Sequence, residues 1–354
     1  MSKMREEIRQ QPAALERTLR LEMKGVEKLR KRLSANPPRM IVLAARGTSD
    51  NAAVFGRYLL EIATGIPVSL AAPSIFTLYG ATLRFKDLLV VAISQSGEST
   101  DTNLVLERAK EGGALTIGIT NEPDSTLAKL AEYTFLVRAG REKSVAATKT
   151  YTGQLMMLYL LAYALGAELK LDDLRRLPEW AQSALKIEPE IAARAGRYRF
   201  MNHTVVVGRG INYANAFEFA LKMMETCYVV AERFSSADFL HGPIAIVERS
   251  FPVFLFAPTG VTWPSIEEMR DKLVDLKAET LLITDTSNRA AGRLDKRQVV
   301  TIPARLSHSG PLPEEVFTPI PYIIPAQLFA ASLAEEKGLD PDQPRTLTKV
   351  TRTL

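Results

Sequence analysis

Runs of apolar residues alternate with amphipathic stretches over most of the chain. The first run, 40–45, has no polar interruption, which is typical of a parallel strand covered on both faces. A helical pattern follows from 51 to about 64, and the succession of strand, turn and helix then repeats. Further strands are predicted at 68–71, 88–93, 115–120 and 134–137, and helices at 101–111, 125–131 and 147–165. This alternation predicts an α/β fold built on a parallel sheet.

The pattern starts again in the second half of the chain. Segment 42–47, Val-Leu-Ala-Ala-Arg-Gly, aligns with 205–210, Val-Val-Val-Gly-Arg-Gly, at an offset of 163 residues (205 minus 42). The second copy offers strands at 203–207, 252–257, 279–284 and 298–302. A last helix is predicted from about 326 to 337, after a proline-rich stretch. The sequence therefore contains two copies of one α/β unit.

The 354 residues are enough for two domains, each with its own core. Leu15, Leu19 and Met23 recur at helical spacing and predict an amphipathic N-terminal helix. We predict this helix at 1–35, a first domain at 36–170, a helical connector at 171–199, a second domain at 200–335 and a tail at 336–354. Each domain is expected to be a parallel sheet between helices, a flavodoxin-like three-layer sandwich.

Composition and charge narrow the class of protein. The net charge of +5 suits an anionic small molecule, and the chain shows no basic block or motif that indicates nucleic-acid binding. Cys227 is the only cysteine, which excludes an intrachain disulfide and fits a reducing compartment. The start of the chain lacks the apolar core of a signal peptide, and the longest apolar stretch, 156–167, is about half a membrane span. We therefore expect a cytoplasmic protein without membrane or nucleic-acid partners.

The segment 94–100, Ser-Gln-Ser-Gly-Glu-Ser-Thr, lies between a predicted strand and a predicted helix. In open α/β sheets, ligands bind beyond the carboxyl ends of strands, and a helix N-terminus offers free N–H groups to an anion. Hydroxyl side chains without a lysine favour a small monophosphate over a nucleoside triphosphate. The alternative is a Ser/Thr-rich helix cap without a ligand.

A second candidate is the set Glu218, Lys222 and Glu225, whose spacing places them on one face of a helix. A carboxylate beside an ammonium group is a plausible proton-transfer site. The alternative is a surface ion pair. The neighbouring positions are mostly apolar, which predicts a buried helix and makes idle charges costly.

Two more residues are candidates on their chemistry. His241 precedes a Gly-Pro turn and is a possible acid or base near neutral pH, although a structural histidine is the alternative. Lys349 lies in the tail, where most lysines are simply solvated. Ligands at metal-binding spacing are missing from the sequence, so we expect no metal and no cofactor.

Several stretches match one family in its own order and cover almost the whole chain. They are 46–49 (Arg-Gly-Thr-Ser), 94–101 (Ser-Gln-Ser-Gly-Glu-Ser-Thr-Asp), 144–150 (Ser-Val-Ala-Ala-Thr-Lys-Thr), 216–225, 241–243 (His-Gly-Pro) and 342–349. Together they resemble the sugar isomerase (SIS) domain family, in particular the isomerase half of glucosamine-6-phosphate synthase and its SIS-only relatives. The resemblance implies two tandem SIS domains and a sugar-phosphate substrate.

The resemblance also implies which residues bind the substrate. The phosphate would be held by four loop residues, Ser94, Gln95, Ser96 and Ser99. The sugar would be lined by Thr48, Ser49 and the backbone near Val145.

By the same resemblance, Glu225 would move a proton between C1 and C2 of the sugar, with Lys222 and Glu218 in support. His241 would assist ring opening and would come from the neighbouring subunit of a homodimer. Lys349 would meet the carbonyl carbon of the open sugar. The active site would thus be shared between subunits.

The synthase also carries a glutaminase domain, and this sequence, which begins Met-Ser-Lys, shows none. Without ammonia from glutamine, the simplest remaining chemistry is deamination. Glucosamine-6-phosphate would open, lose its C2 proton and hydrolyse to fructose-6-phosphate and ammonia, as in SIS-only deaminases. We therefore expect a glucosamine-6-phosphate deaminase.

Other functions stay open. The family often has Glu-Leu-Lys before His-Gly-Pro, whereas this chain has Asp-Phe-Leu at 238–240, so the enzyme could be another sugar-phosphate isomerase, another amino-sugar deaminase or a deglycase. A synthase-type aminotransferase with a separate ammonia source is a further alternative. The last is a non-catalytic sensor of a sugar phosphate, although 35 residues are too few for the DNA-binding domain that such sensors carry.

Overall fold

The computed structural model describes residues 2–347, and the chain divides into two compact units. The first unit comprises Ala13–Glu142 and Lys149–Arg175, with residues 346–347. The second unit comprises residues 2–12, Lys143–Thr148 and Arg176–Arg345. Each unit contains its own sheet and its own apolar core.

Each unit is built on five strands. Those of the first unit are β1 (Met40–Ala44), β2 (Val68–Leu70), β3 (Leu88–Ile93), β4 (Leu115–Thr120) and β5 (Tyr133–Leu136). Those of the second unit are β6 (His203–Gly208), β7 (Val230–Ser235), β8 (Pro252–Phe256), β9 (Glu279–Asp285) and β10 (Val299–Ile302). The predicted parallel strands of both copies are confirmed, most of them to within one or two residues.

The helices in chain order are α1 (Lys3–Arg9), α2 (Gln11–Ala35), α3 (Thr48–Thr64), α4 (Ser74–Thr77), α5 (Thr100–Glu111), α6 (Thr126–Leu130), α7 (Lys149–Ala164), α8 (Leu171–Leu185), α9 (Glu188–Ala195), α10 (Tyr213–Cys227), α11 (Ser236–Leu240), α12 (Trp263–Asp275) and α13 (Pro319–Glu336). Helix α7 is buried on every side, as a helix that is apolar all round must be. Within residues 2–347, no helix combines the length and the apolar character needed to cross a bilayer.

The two sheets share one topology. The spatial order of strands is β2-β1-β3-β4-β5 in the first unit and β7-β6-β8-β9-β10 in the second, and the paired strands are parallel. This is the flavodoxin-like order, in which the chain changes direction across the sheet between the first and third strands. Two parallel sheets flanked by helices confirm the predicted tandem α/β architecture.

Strand β7 is not among the strands predicted from the sequence. It lies at the edge of its sheet, carries Glu232 and Arg233, and is only partly buried, so it lacks the apolar run of a central strand. The internal repeat contains the missing signal, because the offset of 163 places β2 on residues 231–233 of β7.

The helix predicted over 1–35 is two helices, α1 and α2. Gln10 separates them, and its N–H group donates to the Glu7 carbonyl, which ends α1. Pro12 lacks an N–H group, and its ring would clash with the carbonyl of Ile8 in a continuous helix. Residues 2–12 belong to the second unit, while α2 belongs almost entirely to the first.

The last helix begins earlier than predicted. Helix α13 starts at Pro319 instead of about 326, because Pro319 and Pro321 lie in the first turn, where no intrahelical partner is needed for the amide. Pro325 is tolerated further along the same helix.

Candidate functional site

The loop between β3 and α5 is closed by its own serine side chains. The Ser94 hydroxyl accepts a hydrogen bond from the Gly97 N–H group at 3.1 Å, and the Ser96 hydroxyl accepts one from the Glu98 N–H group at 3.2 Å. A hydroxyl that accepts in this way keeps its own hydrogen to donate. The loop therefore presents donors, which suit the acceptor-only oxygens of a phosphate.

Ser99 is the N-cap of α5. Its hydroxyl accepts from the Thr102 N–H group at 3.5 Å and lies 3.0 Å from the Thr102 hydroxyl. The helix-cap interpretation is thus correct for Ser99. Capping and anion binding are compatible, because a side-chain cap satisfies only part of the free N–H groups in the first helical turn.

Gly97 fixes the turn of this loop. Its φ of 67° lies in the left-handed region, and a Cβ atom at this position would overlap the side chain of Ser125. The Gly97 carbonyl accepts from the Leu127 N–H group at 3.0 Å and from the Asn103 amide at 3.1 Å. The loop conformation is therefore set by contacts on both sides of the glycine.

The amide of Gln95 is oriented by Glu142. The Gln95 Nε2 donates to Glu142 Oε2 at 2.9 Å, and the same oxygen accepts from the Thr150 hydroxyl at 2.6 Å. A carboxylate only accepts, so the amide nitrogen of Gln95 must face Glu142 and keeps a second hydrogen to donate. Glu142 is buried and was not predicted from the sequence, although it lies just before the matching stretch 144–150.

Thr48 and Ser49 begin α3, directly after β1. Strands β1 and β3 are neighbours, so the ends of both strands lie at the topological switch point of the first sheet, where ligands bind in this topology. The buried Gln154 donates from Nε2 to the Ser49 hydroxyl at 2.9 Å, which leaves the Ser49 hydrogen to donate. Gln154 is a second residue that the sequence did not indicate.

Charged groups surround the start of α3. The Arg46 guanidinium pairs with the buried Asp101 carboxylate of α5 at 2.7 Å. Burial raises the pKa of the Asp50 carboxyl above its ordinary value, and the nearby charge of Arg46 lowers it in part. The β1 and β3 ends are thus joined by an ion pair.

A cavity of about 450 Å³ borders the loop on one side. Its charged lining consists of Glu98, Glu122, Asp124 and Glu142 with a single basic residue, Arg141. This excess of carboxylates repels a phosphate dianion. Gln95 and Ser96 of the loop contribute neutral donors to the same lining, and such donors suit a phosphate.

In the second unit, Glu218, Lys222 and Glu225 lie on one face of α10, as their spacing predicts. The side chains of Glu218 and Lys222 are fully buried, and the Lys222 ammonium lies 3.5 Å from Glu218 Oε1. Lys222 also contacts the carboxylate of Glu225, whose side chain is 22% exposed. An accessible carboxylate held by a buried ammonium is placed to accept and return a proton.

His241 follows α11 and is exposed in its own chain. The residues before it, 238–240, form the end of α11, where Phe239 is buried against Phe234 with ring centroids 5.2 Å apart. This packing anchors the short helix and leaves the imidazole on the surface.

Val145 lies in the irregular segment Lys143–Thr148 of the second unit, and its N–H group donates to the Asp342 carbonyl at 3.4 Å. Lys349 lies outside the described residues. In the part of the chain that the structure describes, His, Cys, Asp and Glu side chains form no group of three or more that could hold a metal ion.

The predicted residues thus form separate sets in the two units. Thr48, Ser49 and the loop residues 94–99 lie together in the first unit. Val145, Glu218, Lys222, Glu225 and His241 belong to the second.

The second sheet has an equivalent switch point, and its loop is filled by a side chain. The repeat offset places Gly97 on Gly260 and Ser99 on Thr262, which begins α12 as Ser99 begins α5. The buried Glu315 carboxylate accepts from the N–H groups of Val261 at 3.3 Å and Thr262 at 3.2 Å. The carboxylate occupies the place that an anion would take, in a copy whose loop is not rich in serine.

The sequence matches the SIS domain over residues 36–164 and 199–334, which is well over half of the chain. The chain therefore belongs to the SIS domain family, with one match in each half. The isomerizing glutamine–fructose-6-phosphate aminotransferase of Pyrococcus horikoshii is 37% identical over 352 residues, covering 98% of this chain and 57% of that protein. The chain thus spans a little over half the length of the curated relatives it matches.

Two solved structures are similar to this chain over nearly its whole length. The C-terminal domain of glucosamine-fructose-6-phosphate aminotransferase from Francisella tularensis has a TM-score of 0.85 and 26% identity, covering 97% of this chain and 98% of that chain. The glucosamine-6-phosphate deaminase of Thermotoga maritima has a TM-score of 0.71 and 21% identity, covering 99% and 100%. At the latter identity the likeness shows the fold alone.

Proposed function

We propose that this SIS protein moves a proton between C1 and C2 of a sugar 6-phosphate, and that its reaction is the deamination of glucosamine-6-phosphate. The observation that carries the proposal is the partly exposed Glu225 carboxylate, held by the fully buried Lys222. The 37% identity to an isomerizing glutamine–fructose-6-phosphate aminotransferase supports it, because the name of that relative includes one of the two sugar phosphates of the proposed reaction.

In the proposed reaction, the ring of glucosamine-6-phosphate opens to the free aldehyde with help from His241. Glu225 removes the proton from C2 and delivers a proton to C1, while the amine gives up one proton and the aldehyde oxygen gains one. This converts the amino aldose into the imine of the ketose. Water then adds at C2, the C–N bond breaks, and ammonia leaves with fructose-6-phosphate. Lys349 would contact the carbonyl carbon of the open sugar, and Lys222 and Glu218 would hold Glu225 in place.

In the same proposal, phosphate binding belongs to the first unit. Ser94, Gln95, Ser96 and Ser99 supply hydroxyl and amide donors, and the N-terminus of α5 adds its partial positive charge. Thr48, Ser49 and the backbone at Val145 would line the sugar. None of these groups needs a metal or a cofactor to bind a monophosphate.

The reverse direction is a second candidate, favoured by the names of the relatives at over 30% identity. The purified chain should be assayed for ammonia and fructose-6-phosphate release from glucosamine-6-phosphate. It should also be assayed for glucosamine-6-phosphate formation from fructose-6-phosphate with either ammonium or glutamine. Interconversion of glucose-6-phosphate and fructose-6-phosphate tests plain isomerisation. Activity with none of these substrates would reject the proposal.

A homodimer with a shared site is part of the proposal, supported by the exposure of His241 in its own chain. Glu225→Gln and His241→Asn should each be nearly inactive alone. If Glu225 and His241 of one site come from different subunits, mixing the two variants with subunit exchange restores about a quarter of the activity, because half of the dimers then contain one intact site. No restoration in exchanged dimers would contradict a shared site.

A further inference from the structure

The segment Lys143–Thr148 is held by a buried carboxylate of helix α1. Glu7 accepts hydrogen bonds from two consecutive N–H groups, those of Lys143 and Ser144, the latter at 3.2 Å. The Glu7 side chain is only 4% exposed, although it lies on a seven-residue helix. A buried carboxylate on a short helix is costly unless its hydrogen bonds are made, and Glu7 makes them to the start of this segment.

Asp342 connects the same helix to the chain that precedes Lys349. Its carboxylate accepts from the N–H groups of Lys3 and Met4, each at 2.7 Å, and so satisfies the first turn of α1. Its backbone carbonyl accepts from the Val145 N–H group at 3.4 Å. Three consecutive N–H groups, 143 to 145, are therefore bound by two carboxylate-bearing residues, Glu7 and Asp342.

A second chain of contacts fixes the end of the segment. The Gln11 amide donates to Gln327 Oε1 at 2.8 Å, and the Gln327 amide donates to the Thr148 carbonyl at 3.3 Å. Both glutamines are fully buried. The segment 143–148 is thus tied at its start by α1 and Asp342 and at its end by α13.

We propose that Glu7 and Asp342 are positioning residues, and that helix α1 holds the segment 143–148 and the base of the tail in the geometry that catalysis requires. The inference rests on the proposed function, which gives the Val145 backbone and Lys349 parts in the active site.

The test compares Glu7→Gln with Glu6→Gln, a matched change at the exposed neighbouring position of the same helix. Hydrogen exchange measured at the amides of 143–145 should be at least about 10-fold faster in Glu7→Gln, because one of two acceptors is replaced by a donor. With glucosamine-6-phosphate, kcat/KM should fall about 10- to 100-fold, the scale of a small misplacement of binding groups. Glu6→Gln should match the wild type in both measurements.

Asp342→Asn should act in the same direction and serves as the second variant if Glu7→Gln does not fold. Unchanged exchange at 143–145 in both variants would overturn the proposal. So would faster exchange with unchanged kcat/KM, since the segment would then have no part in the reaction. A wild-type chain without activity would overturn the proposed function, while the exchange comparison would still decide whether Glu7 holds the segment.

Discussion

The ammonium group of Lys222 pairs with the carboxylate of Glu225 one helical turn away, and the cation is fully buried while the carboxylate reaches the surface. A solvated surface ion pair would expose both partners. Here the buried Lys222 restricts the conformation of Glu225 and leaves its oxygen atoms accessible. This geometry favours proton transfer over the surface-pair alternative that the sequence left open.

Lys222→Met should destabilise the protein strongly. The substitution removes the cation that contacts both Glu218 and Glu225, and breaking a buried ion pair costs about 3–5 kcal/mol. Adding Glu218→Gln to Lys222→Met should recover part of this loss, because the buried negative charge is then removed as well. Urea unfolding followed by circular dichroism measures both changes. A loss below about 1 kcal/mol in the single variant, the scale of a surface pair, would show that the pair is not buried in solution.

Gly97→Ala should disrupt the loop between β3 and α5. The substitution adds a Cβ atom at a positive φ and also against Ser125, whereas Gly113→Ala adds one at a positive φ with open space around it. Gly113→Ala should therefore cost about 1 kcal/mol, and Gly97→Ala clearly more. Thermal unfolding and phosphate-ester binding by calorimetry measure the two effects. Equal stability and equal affinity in the two variants would contradict the packing described for Gly97.

Glu142→Gln should weaken substrate binding more than it slows turnover. The new amide can donate to Gln95 as well as accept from it, so the Gln95 side chain is free to rotate by half a turn. We expect KM to rise about 10-fold, the value of one well-placed hydrogen bond to a charged group, with kcat nearly unchanged. Glu122→Gln, an exposed residue of the same cavity, is the control. A fall in kcat alone would assign Glu142 a different role.

Asp50→Asn should stabilise the protein near neutral pH. The folded-state pKa of Asp50 is raised above its ordinary 3.8, so the folded chain binds this proton more tightly than the unfolded chain. The free energy of unfolding therefore falls as the pH rises through the raised pKa of Asp50, and the asparagine avoids this loss. The melting temperature of Asp50→Asn should exceed the wild-type value at pH 7, by a margin that shrinks toward pH 4. A margin that grows on acidification would contradict the raised pKa of Asp50. Asp124→Asn is the control at an exposed position.

Most central strands could be predicted from the sequence because burial on both faces produces an uninterrupted apolar run, as in β1 and β3. The edge strand β7 was not predicted, because its exposed side permits the charged residues Glu232 and Arg233. The break between α1 and α2 depends on Pro12. A proline is tolerated in the first turn of a helix and interrupts a helix interior, so a shift of a few positions changes its effect.

Some contacts of the candidate site could likewise be predicted from the sequence, and others could not. The shared face of Glu218, Lys222 and Glu225 follows from helix geometry alone, so their spacing predicted it. The partners Glu142 and Gln154 lie 47 and 105 residues from the side chains they orient, and no local pattern carries such contacts. Glu315 and Glu7 were missed for the same reason, since each acts on a distant loop.

Transfer of solvent deuterium to the sugar tests the central claim most directly. Glucosamine-6-phosphate is incubated in D₂O with the wild-type chain, Glu225→Gln and the exposed control Glu232→Gln, and the products are followed by NMR together with ammonia release. Our account predicts deuterium at C1 of fructose-6-phosphate with the wild type and the control, and a rate at least about 100-fold lower with Glu225→Gln. Turnover by Glu225→Gln at the rate of the wild type and the control would contradict it.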